Sequence, residues 1–87
     1  MTLDEYRAKM DEIDDKLVRL LEQRMDISRE ISDLKTRENM PTQDMGREQY
    51  KLYVVSEKTG NPLYKEHMKR IFEAIMEQSR KLQDSLK

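Results

Sequence analysis

Two cationic side chains, Arg24 and Lys35, lie eleven residues apart in a stretch rich in helix-forming residues. Eleven residues make slightly more than three helical turns, so the two side chains share one face, offset by about 20° and about 16 Å along the axis. A guanidinium grips a carboxylate through two parallel N–H donors, and an ammonium adds a second positive charge. The pair therefore favours binding of a small dianion. The alternative is two unrelated cations in a chain of which 40% is charged.

Arg24 interrupts an apolar seam whose spacing alternates between three and four residues, which is typical of a coiled coil. A buried guanidinium is costly unless it is paired, and one interpretation is a bidentate clamp for an anion. The alternative is a polar residue that sets the helix register or extends outward to solvent. The seam positions are Leu3, Tyr6, Met10, Ile13, Leu17, Leu20, Arg24, Ile27, Ile31 and Leu34.

Two neutral polar residues, Ser79 and Gln83, continue a helical stripe that begins with Phe72 and Met76. Polar groups on an apolar face require hydrogen-bonding partners. Either they bond to a neighbouring helix, or they form the second wall of a pocket whose first wall carries the cations. Asp44 is a predicted N-cap, and Arg47 and Glu48 follow it either as an ordinary solvated helix start or as further pocket residues.

The chemistry open to such a set of residues is limited. With one histidine and no cysteine, the chain offers no structural zinc site and no thiolate. It also contains no nucleophile–base pair and no glycine-rich phosphate loop. A site of arginine, lysine, serine, glutamine and glutamate binds a polyanion and stabilises charge by position. We therefore predict neither a metal nor an organic cofactor.

Sparse glycine and proline divide the chain into three predicted helices within a single domain, residues 1–87. The predicted helices cover 3–38, 44–58 and 62–86, so the first is long, the second short and the third of medium length. Gly60-Asn61 ends the second helix, and Pro62 occupies the first position of the third. No alternating strand pattern occurs, and the predicted fold class is all-α.

The length of the first helix predicts an assembly. A helix over 3–38 is about 54 Å long, whereas a compact chain of this size has a diameter of roughly 30 Å. The two shorter helices are expected to cover only part of the seam, so a second copy covers the rest. We therefore predict an intertwined homodimer with two-fold symmetry.

Composition excludes several classes of partner. Seventeen basic and 18 acidic residues leave a net charge of −1, without the basic excess of a nucleic-acid-binding protein. No apolar run approaches the ~20 residues that cross a bilayer, and the N-terminus does not read as a signal peptide. The expected location is the cytoplasm, in soluble form.

The order and spacing of these residues resemble the all-helical class of chorismate mutases. The resemblance covers nearly the whole chain, and Gly46, in the first turn of the second helix, is the departure from the pattern. It rests on the following residues: Tyr6, Arg7, Asp11, Ile13, Asp14, Leu17, Leu20, Leu21, Arg24, Ile31, Lys35, Pro41, Asp44, Arg47, Glu48, Ile71, Phe72, Met76, Ser79 and Gln83.

The resemblance implies an isomerase that rearranges chorismate to prephenate, the step committing carbon to phenylalanine and tyrosine. It implies an intertwined dimer of three-helix chains, with no cofactor. By similarity, Arg24 and Arg7 bind the substrate carboxylates. Lys35 and Gln83 donate to the ether oxygen of the breaking C–O bond. Glu48, with the backbone at Asp44, holds the ring hydroxyl. The carboxylate-binding shell is completed by Arg47 and Ser79.

Arg7 lies seventeen residues from Arg24, roughly 25 Å along one helix. A small ring dianion cannot touch both side chains of one chain, so Arg7 is expected to come from the partner subunit.

Two alternatives remain for the function. One is isochorismate pyruvate lyase, which has a similar fold, although the Asp44-Arg47-Glu48 loop and Ser79 favour the mutase. The other is a non-catalytic helical dimerisation module.

Overall fold

Three α-helices make up most of the chain, and the computed structural model describes residues 1–86. Helix α1 spans Leu3–Arg37, α2 spans Met45–Lys58 and α3 spans Lys65–Ser85, with lengths of 35, 14 and 21 residues. The described residues contain no strand. The predicted all-α class is therefore confirmed, as is the order of a long, a short and a medium helix. Within residues 1–86, none of the helices has the length and apolar character needed to cross a membrane.

Polar side chains fix the start of the first two helices. The Thr2 hydroxyl accepts a hydrogen bond from the Glu5 backbone N–H at 3.2 Å, and Asp4 and Glu5 complement the helix dipole in the first turn of α1. The Asp44 carboxylate caps α2 by accepting from the Arg47 backbone N–H at 3.0 Å. The N-cap predicted at Asp44 is therefore present.

The third helix begins later than predicted. Pro62–Tyr64 form a 3₁₀ helix, and α3 itself begins at Lys65. The Asn61 side chain accepts a hydrogen bond from the Leu63 backbone N–H at 2.9 Å, which holds the chain in a tight turn. Proline fixes φ at a value that either helix type accepts, and the Tyr64 N–H donates to the Asn61 carbonyl three residues back at 3.0 Å, so Pro62 begins a 3₁₀ helix and not α3.

Helix α3 is the central element, because it packs against both α1 and α2. Only Val55 and Met76 are buried apolar residues among those described, whereas four polar side chains are buried. Gln83 Nε2 donates to the Ser28 carbonyl at 3.0 Å and lies 3.2 Å from the Ser28 hydroxyl. Small side chains and hydrogen bonds thus join α1 to α3. The buried polar residues are Ser28, Ser32, Ser79 and Gln83.

The apolar seam of α1 is exposed almost throughout, which differs from the expectation that the shorter helices cover part of it. Each apolar seam position, from Leu3 to Leu34, is more than 40% exposed. The reason is that α3 packs on a neighbouring stripe that includes Ser28 and Ser32, each one residue after a seam position and so rotated by about 100°. Exposed apolar patches of this kind are typical of protein interfaces, membrane-binding surfaces and ligand grooves.

The N-terminal half of α1 projects from the rest of the chain. Residues 1–20 are all exposed. The principal extents are 54 × 25 × 15 Å and the radius of gyration is 16.0 Å, whereas a compact chain of this length has a radius of gyration near ~12 Å. Helix α1 thus has nearly the predicted length. In a single chain, the N-terminal half of α1 is not packed against another helix.

Candidate functional site

A pocket of about 230 Å³ lies where the C-terminal half of α1, the start of α2 and the C-terminal half of α3 come together. Seven of the eight predicted site residues line it, and Arg7 does not. The seven are Arg24 and Lys35 from α1, Asp44, Arg47 and Glu48 from the start of α2, and Ser79 and Gln83 from α3.

Arg24 faces α3 and is half-buried. Its Nη1 donates to the Ser79 hydroxyl at 2.9 Å. The guanidinium therefore turns inward toward a polar residue of the opposite wall and does not extend to solvent. A guanidinium carries five N–H donors, so this one bond leaves donors for an anion in the pocket.

Lys35 stands at the other end of the same wall. Its Nζ donates to the Thr42 carbonyl at 2.8 Å, which ties the end of α1 to the loop before α2. An ammonium has three donors, so the bond to Thr42 orients the side chain and leaves two N–H groups. The spacing of Arg24 and Lys35 predicted a shared face, and both side chains do line one pocket.

Two neutral side chains of the α3 wall, Ser79 and Gln83, are held in place by hydrogen bonds between helices. Ser79 accepts from Arg24, and both contacts of Gln83 Nε2 are to Ser28. The two interpretations offered for these residues, hydrogen bonding between helices and lining a pocket, are therefore both realised. Their bonds to α1 fix the position of each side chain beside the cavity.

The wall formed by α2 contains both acidic residues of the pocket. Asp44 is engaged as the N-cap, and the guanidinium of Arg47 lies 6.0 Å from the centre of the Tyr50 ring. Glu48 is half-buried and accepts a hydrogen bond from Arg80 Nη1 across the groove between α2 and α3. A buried carboxylate needs such a partner.

Sequence reasoning missed two cations of the pocket, Arg80 and Lys51. Each had a signal in the spacing, because Arg80 lies one turn after Met76 and Lys51 lies one turn after Glu48. With them, five cationic side chains and two carboxylates line the pocket. An excess of positive charge in a concave site attracts anions. The five cations are Arg24, Lys35, Arg47, Lys51 and Arg80.

Arg7 remains far from this pocket within one chain. It lies in the exposed N-terminal half of α1, seventeen residues from Arg24, which on a continuous helix is roughly 25 Å. The side chain therefore cannot reach an anion held by Arg24 of the same chain. Its part in the site stays a prediction.

Comparison with known proteins agrees with the resemblance inferred from the residues. The sequence profile of a family described as chorismate mutase type II matches residues 6–84 of the 87-residue chain. A comparison with curated proteins finds no match. The matched range extends from just before Arg7 to just after Gln83, so it includes every predicted site residue.

Proposed function

The chain belongs to the chorismate mutase type II family, and we propose that it rearranges chorismate to prephenate. The observation that carries the proposal is the pocket, in which five cations, two carboxylates and four neutral hydrogen-bonding side chains surround about 230 Å³. Chorismate is a small ring dianion with one ring hydroxyl and one ether oxygen. A pocket with an excess of cations matches its charge, and the polar walls offer donors at separate points.

Arg24 is the main clamp of a substrate carboxylate. Its bond to Ser79 at 2.9 Å holds the guanidinium plane on the α3 side of the pocket. A fixed guanidinium loses less freedom when it binds a carboxylate with two parallel donors. Arg47 completes the carboxylate-binding shell from the start of α2. Holding both carboxylates selects the chair-like conformer of the substrate in which the reacting carbons are close.

The rearrangement is unimolecular, so the protein moves no proton. Negative charge develops on the ether oxygen as the C–O bond breaks, and donors aimed at that oxygen lower the barrier. Lys35 supplies a charged donor, and Gln83 supplies a neutral donor from the opposite wall. The contact of Gln83 with the Ser28 hydroxyl at 3.2 Å is the longer of its two contacts. We infer that the ether oxygen replaces that contact.

Glu48 binds the ring hydroxyl of the substrate. A carboxylate accepts hydrogen bonds, and a hydroxyl can donate one. The backbone at Asp44, beside the cap of α2, completes this contact. These residues, together with Ser79, favour the mutase over isochorismate pyruvate lyase.

The working unit is an intertwined homodimer in which Arg7 of one chain serves the pocket of the other. The exposed seam of α1 and the unpacked residues 1–20 support this assembly. Antiparallel first helices would bring the N-terminal half of one α1 past the pocket of the other chain. The partner's Arg7 would then bind the second carboxylate.

Loss of chorismate absorbance on addition of the purified protein tests the proposed function. The expected result is conversion of chorismate to prephenate without release of pyruvate. Release of pyruvate from isochorismate, with chorismate unchanged, would identify a lyase instead. Failure to bind or convert either compound would leave a non-catalytic dimerisation module.

Arg24→Ala is expected to raise KM and lower kcat together. Arg24 grips a carboxylate in both the ground state and the transition state, and removal of one partner of a buried charged pair costs several kcal/mol. We expect kcat/KM to fall on the order of 100-fold or more. Arg29→Ala, which removes an exposed arginine of the same helix, is the matched control. An Arg24→Ala protein with unchanged KM and kcat would refute the clamp.

Gln83→Glu is expected to make the activity depend on acid. Only the protonated form of the introduced carboxyl donates a hydrogen bond, whereas the carboxylate repels charge on the ether oxygen. Activity should therefore rise as the pH falls through the pKa of that carboxyl. Gln78→Glu makes the same change at an exposed position of α3 and should keep the wild-type profile. A flat pH–rate profile for Gln83→Glu would show that residue 83 does not face the ether oxygen.

A further inference from the structure

Arg80 extends from α3 to α2 and pairs with Glu48. The Arg80 and Glu48 side chains are 31% and 19% exposed, so the pair is partly withdrawn from water. Its partners come from different helices, α2 and α3, whereas four other ion pairs link residues three or four apart on α3 at more exposed positions.

The Arg80–Glu48 pair separates two cavities. Arg80, Glu48 and Met76 line the 230 Å³ pocket and also a larger cavity of about 690 Å³ between α2 and α3. The three side chains thus form the partition between the substrate pocket and the neighbouring groove. A side chain in this partition can therefore influence the substrate pocket through its contact with Glu48.

From these contacts we propose that Arg80 is a positioning residue that makes the enzyme specific for the ring hydroxyl of its substrate. The inference rests on the proposed function, in which Glu48 accepts the hydrogen bond of that hydroxyl. Arg80 donates to Oε1 of Glu48. The bond holds one carboxylate oxygen and directs the other, Oε2, toward the hydroxyl.

The physical effect of Arg80 is to preorganise the acceptor. A glutamate carboxylate without a partner has several rotamers open to it, and Glu48 borders the larger cavity as well as the substrate pocket. Ordering such a side chain on binding lowers affinity. Charge-assisted hydrogen bonds are about twice as strong as neutral ones, so an arginine partner restricts these rotamers effectively.

Arg80→Met tests the proposal, because methionine keeps an unbranched side chain across the partition and removes the charge. We expect KM for chorismate to rise about twofold to tenfold, the cost of ordering one flexible side chain on binding. The change in kcat should be small, because the hydroxyl contact is made in both the ground and transition states. Arg80→Lys keeps the charge without the planar fork and should recover part of the loss.

The second measurement uses an analogue of chorismate in which hydrogen replaces the ring hydroxyl, assayed as a competitive inhibitor. Its Ki should be the same for the wild type and Arg80→Met, because it makes no contact that depends on Glu48. A parallel loss for chorismate and the analogue would overturn the proposal and assign Arg80 to a carboxylate or to folding. The thermal midpoint separates those two roles.

Arg70→Met is the matched control. Arg70 lies on the same helix, forms ion pairs with Glu66 and Glu73, and lines the larger cavity but not the substrate pocket. It should keep the wild-type KM. If the wild type rearranges chorismate and Arg80→Met retains its KM, this inference fails and the proposed function stands. If the wild type does not act on chorismate, both fail.

Discussion

Lys35→Ala is expected to lower kcat by about 100- to 1000-fold while KM changes much less. In the proposed mechanism Lys35 stabilises charge on the ether oxygen, and that charge develops mainly in the transition state. Removing one preorganised donor at such a position costs on the order of 10²–10³ in rate. The bond from Lys35 Nζ to the Thr42 carbonyl already orients the ammonium before substrate arrives. Steady-state kinetics with chorismate measure both constants.

Arg37→Ala is the control for that experiment. Both residues lie in the last turn of α1, where a cation also complements the helix dipole, but Arg37 is exposed and does not line the pocket. Loss of the dipole interaction alone would affect the two variants alike. If Lys35→Ala retains the wild-type kcat, Lys35 has no part in stabilising the ether oxygen. Far-UV circular dichroism of both variants reports whether α1 is intact.

The helix boundaries were predictable where a local side chain determines them. Asp44 stands before α2 and accepts the hydrogen bond expected of an N-cap, because capping involves residues only three apart. The start of α3 was not predictable in the same way. Pro62 is compatible with either helix type, and the Asn61 side chain decides for a 3₁₀ turn before Lys65.

Packing between helices was harder to predict than the helices themselves. The heptad spacing predicted that the shorter helices cover part of the apolar seam of α1. Instead, α3 packs on the stripe that carries Ser28 and Ser32. Serine has no hydrophobic signal, so periodicity of apolar residues does not detect this contact. The hydrogen bonds from Gln83 to Ser28 join the helices instead. This arrangement leaves the apolar seam exposed in the single chain.

The candidate site was predictable to the extent that its residues share a helical face or a family pattern. Arg24 and Lys35 follow from spacing, and Ser79 and Gln83 from polar groups on an apolar stripe. Arg80 did not stand out, since 40% of the chain is charged and any single arginine is unremarkable. Only the packing of α2 against α3 brings Arg80 to Glu48.

A mixture of two inactive variants is expected to regain activity, because the proposed dimer draws Arg7 and Lys35 of one pocket from different chains. Arg7→Ala and Lys35→Ala homodimers each lack one group in both pockets. In a heterodimer, one pocket receives both substitutions and the other receives neither. Unfolding and refolding an equal mixture gives about half heterodimers if the chains pair at random. Roughly a quarter of the wild-type activity should therefore return.

The control is Arg7→Ala mixed with Arg24→Ala and, separately, Arg7→Ala mixed with itself. Arg24 belongs to the same pocket wall as Lys35, so the first mixture should recover the same fraction and the second should recover none. Exchange of chains between dimers must be shown. If one variant carries a mass tag, mass spectrometry detects the mixed dimer. If heterodimers form and no activity returns, Arg7 does not serve the partner's pocket. The exposed N-terminal half of α1 would then have a role in assembly alone, since roughly 25 Å of straight helix separates Arg7 from Arg24 of its own chain.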